Sequence, residues 1–348
     1  MFEDILFSFG LTHSSVITPF GNGLINHTWK IQDGNKSYIL QKINHDIFKN
    51  PLDISSNVRL VCDYFKKTQP GYLFPCPLRT NNGEELYHNQ QDHYRLYPFV
   101  ENSYTINVVN DTSQAYEAAK QFGSFTSLLK DFPIEQLKIT LPEFHNLPIR
   151  FNQFESSLVI GNPGRIKEAA ELIDFLKTQN EIVLVAEKIY SNPVFVKRVT
   201  HHDSKINNVL FDSNNRGLCV IDLDTLMPGY FISDFGDMMR TYLSPVSEEE
   251  KDLDKIEIRV DFFKAIAEGY LDQMQSIMSP EEIDHFVYSG KYMTYMQALR
   301  FLTDYLNNDI YYESKYEGHN FVRAGNQVML LKRLIEKEND LKDILKSV

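Results

Sequence analysis

Short apolar and aromatic runs broken by Gly turns dominate the first hundred residues. Longer stretches with apolar residues at helical spacing dominate the rest. Residues 17–20, 24–31 and 37–43 form three such runs, separated by Gly21-Asn22-Gly23 and Asp33-Gly34-Asn35; they predict antiparallel hairpins. Residues 51–67 carry Leu52, Val58, Val61, Cys62 and Phe65 at near-helical spacing and predict a helix. Residues 72–78 and 94–97 read as further strands, and Pro98 ends the pattern. Beyond Glu101 residues 112–129 predict a helix capped by Asp111 or Thr112. A Pro-punctuated loop spans 141–150. Helices are predicted over 151–160, 164–178 and 181–190, and short strands over 194–199, 208–211 and 217–221. Most of 234–346 is again helical. The pattern predicts an α+β fold of two lobes: a β-rich lobe over 1–98, a hinge at 99–101 and a mainly helical lobe over 102–348.

Composition changes this picture little. Of 348 residues, 43% are hydrophobic and 24% charged, as in ordinary globular chains. The formal net charge of −12 repels phosphate backbones and disfavours nucleic acid as a partner. It leaves room for a nucleotide held by local cations. Cys62, Cys76 and Cys219 are an odd set without metal-ligand spacing, so buried reduced thiols are expected rather than a disulfide framework or a zinc site. Glu3 and Asp4 stand where a signal peptide would be basic. No apolar stretch reaches the length of a membrane span. These features predict a cytoplasmic protein with no membrane partner.

The chemistry concentrates in one segment, His201-His202-Asp203-Ser204-Lys205-Ile206-Asn207-Asn208, followed by the apolar strand that ends at Ile221-Asp222. An Asp lies on a tight loop, an Asn follows five residues later at the start of a strand, and a second Asp closes the next strand. A hairpin brings Asn208 and Asp222 to one end, beside the loop that carries Asp203. Phosphoryl transfer requires such a set. One carboxylate orients the acceptor hydroxyl, and a carboxylate with an amide oxygen suits hard Mg²⁺ against phosphates.

The segment resembles the aminoglycoside phosphotransferase and choline kinase superfamily, relatives of the protein kinases. Its H-x-D-x-x-x-x-N pattern is met by His201, Asp203 and Asn208, and its I-D pair by Ile221 and Asp222. The resemblance implies a protein-kinase-like fold and an ATP- and Mg²⁺-dependent small-molecule kinase. It implies Asp203 as catalytic base, His201 as a brace of the loop, and Asn208 and Asp222 as Mg²⁺ ligands. Asp234-Phe235-Gly236 spells the kinase metal motif literally, but it lies a dozen residues past the hairpin where a helix is expected to open. Asp234 is therefore read as an N-cap or as an ion-pair residue that braces the catalytic loop.

In the N-terminal half, Gly21 and Gly23 are candidates to cover the phosphates, and a plain hairpin turn is an equal reading. Strand alternation puts Gln41 where a kinase carries its phosphate-binding Lys, with Lys42 on the other face. Either a bulge turns Lys42 inward or the nucleotide is held without that Lys, so both residues are nucleotide-binding candidates. The backbone at Phe99 and Val100 is expected to bind adenine.

Scattered segments are similar to bacterial N-acetylhexosamine 1-kinases, among them residues 38–44, 142–146, 220–229, 234–237 and 300–304. That resemblance implies a sugar acceptor phosphorylated at its anomeric hydroxyl. Arg300, Asp304, Tyr311, Tyr312 and Arg323 are candidates to line its pocket beside Asp203, with His319 in the same reading; Arg150 and His145 border it, though a satisfied structural histidine is the preferred reading of His145. For Arg300 and Asp304 an i,i+4 ion pair is the competing assignment. A kinase of an aminoglycoside, choline or homoserine is the alternative acceptor class. A catalytically dead kinase-like binding protein, favoured by Gln41, is the alternative outside enzymes.

Overall fold

The structure, a computed structural model, describes residues 2–21, 26–89, 92–312 and 314–348. Helix α1 (Phe2–Ser8) precedes strands β1 (Val16–Pro19), β2 (His27–Asp33) and β3 (Lys36–Ile43). Helix α2 (Pro51–Thr68) leads to β4 (Tyr87–Asn89) and β5 (Asp92–Pro98). The five strands form one antiparallel sheet in the order β1-β2-β3-β5-β4.

The helical part follows. It comprises α3 (Thr112–Leu128), α4 (Leu147–Ile160), α5 (Pro163–Glu168), α6 (Ala170–Thr178) and α7 (Glu181–Ser191). Two small hairpin sheets interrupt it. One pairs β6 (Arg198–Thr200) with β9 (Met227–Gly229), and the other pairs β7 (Val209–Phe211) with β8 (Gly217–Val220). Helices α8 (Phe231–Tyr242), α9 (Val260–Met274), α10 (Pro280–Asp284), α11 (Phe286–Leu306), α12 (His319–Glu336) and α13 (Glu338–Leu345) complete the chain. None of the described helices is long and apolar enough to cross a membrane. The α+β class, with a β-rich first part and a helical second part, is as the periodicity predicts.

Two apolar cores organise these elements. On one face of the large sheet, Ile5, Leu6, Phe9 and Leu11 pack with Ile31, Leu40, Tyr94 and Leu96. On the other side α2 joins a continuous core with α3, α8, α9 and α11. Phe65 of α2 lies 6.1 Å from Phe125 of α3, ring centre to ring centre. Each such buried side chain contributes about 1.5–3 kcal/mol. The apolar stripe read on α2 therefore faces the helical part, and α1 with the turn after it covers the outer face of the sheet.

Several expectations need correction. Residues 72–78 are not a strand: only Leu78 bridges to Leu96, because Pro75 and Pro77 have no N–H to give a ladder. The helix expected over 164–178 breaks at Ala169 into α5 and α6. The strand expected over 194–199 begins only at Arg198, five residues after Pro193. Helix α1 and strand β4 have no counterpart in the sequence pattern, since both are too short to show a period. Cys62 and Cys76 form a disulfide with their Cα atoms 5.7 Å apart, in place of the free thiols expected. The chain doubles back after α2 and brings the two side by side. Cys219 is free and buried, as expected. Asp111 caps α3 by accepting the Ser113 N–H.

A buried ion pair ties the C-terminal helices to β6. Glu282 of α10, fully buried, accepts Arg198 Nη1 at 2.6 Å and Nη2 at 2.9 Å. It also closes a capping box with Ser279. Removing one member strands the other charge in the interior. We expect Glu282→Ala to cost about 3–5 kcal/mol and to lower the thermal unfolding midpoint by several degrees. Arg333→Ala, at an exposed surface pair, should leave that midpoint nearly unchanged.

Candidate active site

Strand β6 ends at Thr200, and the chain then makes a tight loop before β7. At its far end Asn208 starts the β7–β8 hairpin. The hairpin closes with the Ile221 N–H donating to the Asn208 carbonyl at 2.8 Å. Asp222 follows in the left-handed region, φ 60°, so its side chain turns out of the strand at the same end. Asn208 Nδ2 donates to the Asp203 carbonyl at 2.8 Å and to Asp203 Oδ2 at 3.0 Å. Asp203, Asn208 and Asp222 thus share one end of one hairpin.

The loop is held from beneath. His201 Nε2 lies 2.8 Å from the Ile221 carbonyl, which can only accept, so that nitrogen carries the proton. Its Nδ1 then accepts the Asp203 N–H at 3.3 Å. The His201 and His202 N–H groups both donate to Asp234, at 3.0 and 2.7 Å. His202 takes φ 68°, a conformation that costs a non-Gly residue about 1–2 kcal/mol. The Asp234 carboxylate offsets that cost. The His202 ring packs so tightly on Gly229 that a Cβ there would meet the ring at 2.4 Å.

Each residue of the literal Asp-Phe-Gly has a packing reason. Helix α8 opens at Phe231 with Tyr230 as its cap, so Asp234 lies in the first turn rather than at the N-cap. Its oxygens go to backbone N–H groups. Phe235 is buried 4.0 Å from the Phe286 ring and 5.3 Å from Tyr270. A Cβ on Gly236 would come 2.3 Å from the Ser289 carbonyl, so its absence lets α8 lie against α11. All three residues are thus engaged in packing or backbone hydrogen bonds beneath the loop.

The charges at the hairpin end are unbalanced. Burial opposes ionisation of Asp203, but Lys205, with Nζ 3.1 Å from Asp203 Oδ1, prevails and holds the carboxyl below its ordinary value. Asp222 sits among dense protein in the cleft, with its carboxylate open to solvent there. That crowding, then Asp224 and Asp203, raises it to about 7. Neither Asp222 nor Asn208 Oδ1 has a hydrogen-bond partner among the described residues. The described residues contain no group of three His, Cys, Asp or Glu arranged around a metal. One carboxylate, one amide oxygen and nucleotide phosphates are nevertheless a sufficient oxygen set for Mg²⁺, and the excess negative charge here fits such a cation.

Facing this end is the large sheet. The β2–β3 and β3–β5 registers run without a bulge, so alternation holds and Lys42 does not turn inward. Lys42 points to the α1 side and pairs with Asp92 at 2.8 Å. Gln41 faces the cleft and accepts from Arg95 Nε at 3.0 Å. Arg95 is 2% exposed and ion-paired to Asp224, whose second oxygen accepts Asn26 Nδ2 at 2.6 Å. Gly21 occupies a turn at φ 73°, and Gly23 lies outside the described residues. The Phe99 N–H is taken by the Ser37 carbonyl at 3.0 Å, so it is not free for adenine as expected. The Phe99 carbonyl and the Val100 N–H have no partner among the described residues.

On the helical side the expected acceptor residues divide. Asp304 is not paired with Arg300 among the described residues. Its oxygens accept the N–H groups of Tyr311 and Tyr312 at 2.7 and 2.9 Å and the Asn320 amide, and so brace the loop before α12. Arg323 is ion-paired to Glu248, which also accepts Arg240 at 2.7 Å. His319 pairs with Glu249. Arg300 has no carboxylate partner among the described residues and lies 5.2–5.9 Å from the rings of Phe144, Tyr312 and Tyr311. Arg150 donates to the carbonyls of Glu143 and Phe144. His145 and His202 share the Ser233 hydroxyl and stay neutral, burial holding both well below the ordinary imidazole value.

Sequence reasoning missed Arg95, Asp224 and Lys205. Arg95 had a signal, a charge inside the apolar strand Tyr94-Arg95-Leu96-Tyr97. Lys205 stands two residues after Asp203.

A two-lobed α+β chain with this loop and hairpin is the architecture of a small-molecule kinase. The chain belongs to the phosphotransferase enzyme family (APH), whose pattern matches residues 16–262. Among solved structures it is similar to a microcompartment-associated aminopropanol kinase, at 15% identity over 97% of each chain with a TM-score of 0.65. It is similar to an aminoglycoside phosphotransferase from Alicyclobacillus acidocaldarius, at 9% identity over 97% of this chain and 95% of that one, TM-score 0.65. A spectinomycin phosphotransferase in complex with ADP and spectinomycin matches at 15% identity, 99% and 96% coverage and TM-score 0.54.

The two candidate motif aspartates should part in a stability assay. Asp234→Ala leaves two buried N–H groups unpaired, at about 1–3 kcal/mol each, and should lower the thermal midpoint by several degrees. Asp222→Ala relieves carboxylate crowding and should leave the midpoint of the ligand-free protein level or higher. The reverse order would show that Asp234 is not the brace.

Proposed function

We propose that the protein transfers the γ-phosphoryl group of ATP, bound with Mg²⁺, to the anomeric hydroxyl of an N-acetylhexosamine. The observation that carries the phosphotransfer reading is the single hairpin end that gathers Asp203, Asn208 and Asp222. Asp203 is kept ionised by Lys205 and oriented by Asn208, as an acceptor of a hydroxyl proton must be. Asp222 and Asn208 Oδ1 would hold the metal, which when bound neutralises phosphate charge. Lys205, beside Asp203, is positioned to stabilise charge on the transferred group. The Phe99 carbonyl and Val100 N–H are the groups left to bind adenine. Residues 1–98, 99–101 and 102–348 then serve as nucleotide lobe, hinge and acceptor lobe.

The acceptor reading rests on the wall formed by Phe144, Tyr311, Tyr312 and Arg300, which has no carboxylate partner among the described residues. Aromatic faces and planar donors suit the ring and the acetamido oxygen of an amino sugar. An amine acceptor wants carboxylates at that place, and Arg300 and Arg150 repel it. This favours the sugar over the aminopropanol that the similar structure's name records. The sequence segments similar to N-acetylhexosamine 1-kinases support the same choice.

Release of ADP from ATP should therefore require Mg²⁺, stop with EDTA, and respond to N-acetylglucosamine or N-acetylgalactosamine in a panel that also holds hexoses, aminoglycosides, choline, ethanolamine and homoserine. The product should carry phosphate on the anomeric carbon; phosphate elsewhere, or turnover only with amines, rejects the acceptor. Asp203→Ala should cut kcat by about 10²–10⁴-fold while ATP still binds. Asp222→Ala should also remove the Mg²⁺ dependence of nucleotide binding. Absence of turnover with every acceptor, and of any nucleotide-induced thermal shift, would sink the kinase reading.

A further inference from the structure

The cleft side of β3 presents an amide, Gln41, where a cation is needed, and the cation Lys42 is committed to Asp92 on the far face. The register partner of Gln41 is Arg95 of β5. Its side chain lies on the cleft face of the sheet, and Nε donates to Gln41 Oε1 at 3.0 Å. Its guanidinium reaches Asp224, two residues beyond Asp222. Arg95 is 2% exposed, yet Nη2 has no hydrogen-bond partner among the described residues. A buried guanidinium with an idle donor is costly unless a ligand completes it. Asp224 neutralises the charge, and Asn26 fixes the carboxylate.

We propose that Arg95, reaching across from β5, is the residue that binds the α and β phosphates of the nucleotide in place of a lysine on β3. The inference rests on the reading that a nucleotide occupies this cleft. A guanidinium suits this role because its planar fork grips phosphate oxygens in pairs, whereas an ammonium acts as a point charge. Gln41 holds the fork at Nε, leaving the two terminal nitrogens to Asp224 and phosphate. The uninterrupted β3–β5 register sets the direction from which the side chain arrives.

The test compares binding of ADP with Mg²⁺ and of adenosine, which lacks the phosphates, by calorimetry on the full-length protein. Arg95→Gln should weaken ADP by about tenfold to a hundredfold, the range of one or two charged hydrogen bonds, and leave adenosine within about threefold. Arg95→Lys, which keeps the charge if the Gln variant folds poorly, should lose less. Lys42→Gln should change neither ligand. The double variant Arg95→Gln with Gln41→Lys returns a cation from the neighbouring strand and should recover at least part of the ADP affinity. Equal weakening of ADP and adenosine by Arg95→Gln, or a loss of ADP binding on Lys42→Gln as large as on Arg95→Gln, would overturn the proposal. So would a double variant no better than Arg95→Gln. If the unsubstituted protein binds neither ligand, the nucleotide reading itself falls, and this assignment with it.

Discussion

A buried carboxylate that accepts two consecutive backbone N–H groups is the constraint on which the site depends. Asp234 binds the His201 and His202 N–H groups, and its own carbonyl accepts the Ser204 hydroxyl at 2.6 Å. These bonds hold His202 in the left-handed region and force the chain to turn there. The turn puts Asp203 at the hairpin end instead of letting β6 run on. Burial pushes the Asp234 carboxyl up to about 6, against the pull of His201 and the two N–H groups. The same helix turn is pressed into α11 by the missing side chain of Gly236. The loop therefore inherits its rigidity from the helical core.

Charge at the centre runs against the mean of the chain. The net charge is −12, but the cleft gathers Arg95 and Lys205, and the helical side adds Arg150, Arg300, Arg240 and Arg323. Some are neutralised in place: Arg240 and Arg323 by Glu248, and Arg95 by Asp224. Arg300 is not. Local pairing thus decides which cations remain open to a ligand, and the summed charge does not. On this ground an acidic mean charge does not oppose a small phosphate ligand.

The legible parts of the sequence are those with a strong period or a fixed spacing. Helix α3 and its Asp111 cap, helix α2, the β2–β3 hairpin and the β7–β8 hairpin are all readable. So is the face of Gln41, because strand alternation is unforgiving of a one-residue slip. Features set by tertiary contact are not readable. Residues 72–78 look like a strand until the two prolines and the Cys62–Cys76 link are seen together. Asp304 looks like a partner of Arg300 by spacing, yet the loop at 307–312 folds back and takes both its oxygens. The Phe99 N–H looks free, but β3 overshoots its pairing by one bond and captures it at Ser37.

Arg95 shows why a missing residue in a familiar slot is weak evidence for a dead enzyme. A strand pair offers two positions that face one point, residue i on one strand and its register partner on the next, with Cβ atoms about 5 Å apart. A long cation on either can reach the same ligand. Gln41 and Arg95 are such partners, so the amide on β3 is a support for the guanidinium and not a vacancy. Asp224 extends the logic to the other lobe. It lies on the short turn between Asp222 and β9, and it is joined to Arg95 of the sheet and to Asn26 after the glycine turn. A phosphate drawing on Arg95 would therefore weaken or redirect the bond that ties sheet to hairpin beside Asp222. Nucleotide binding at Arg95 and the placement of Asp222 would in that way be linked through one ion pair.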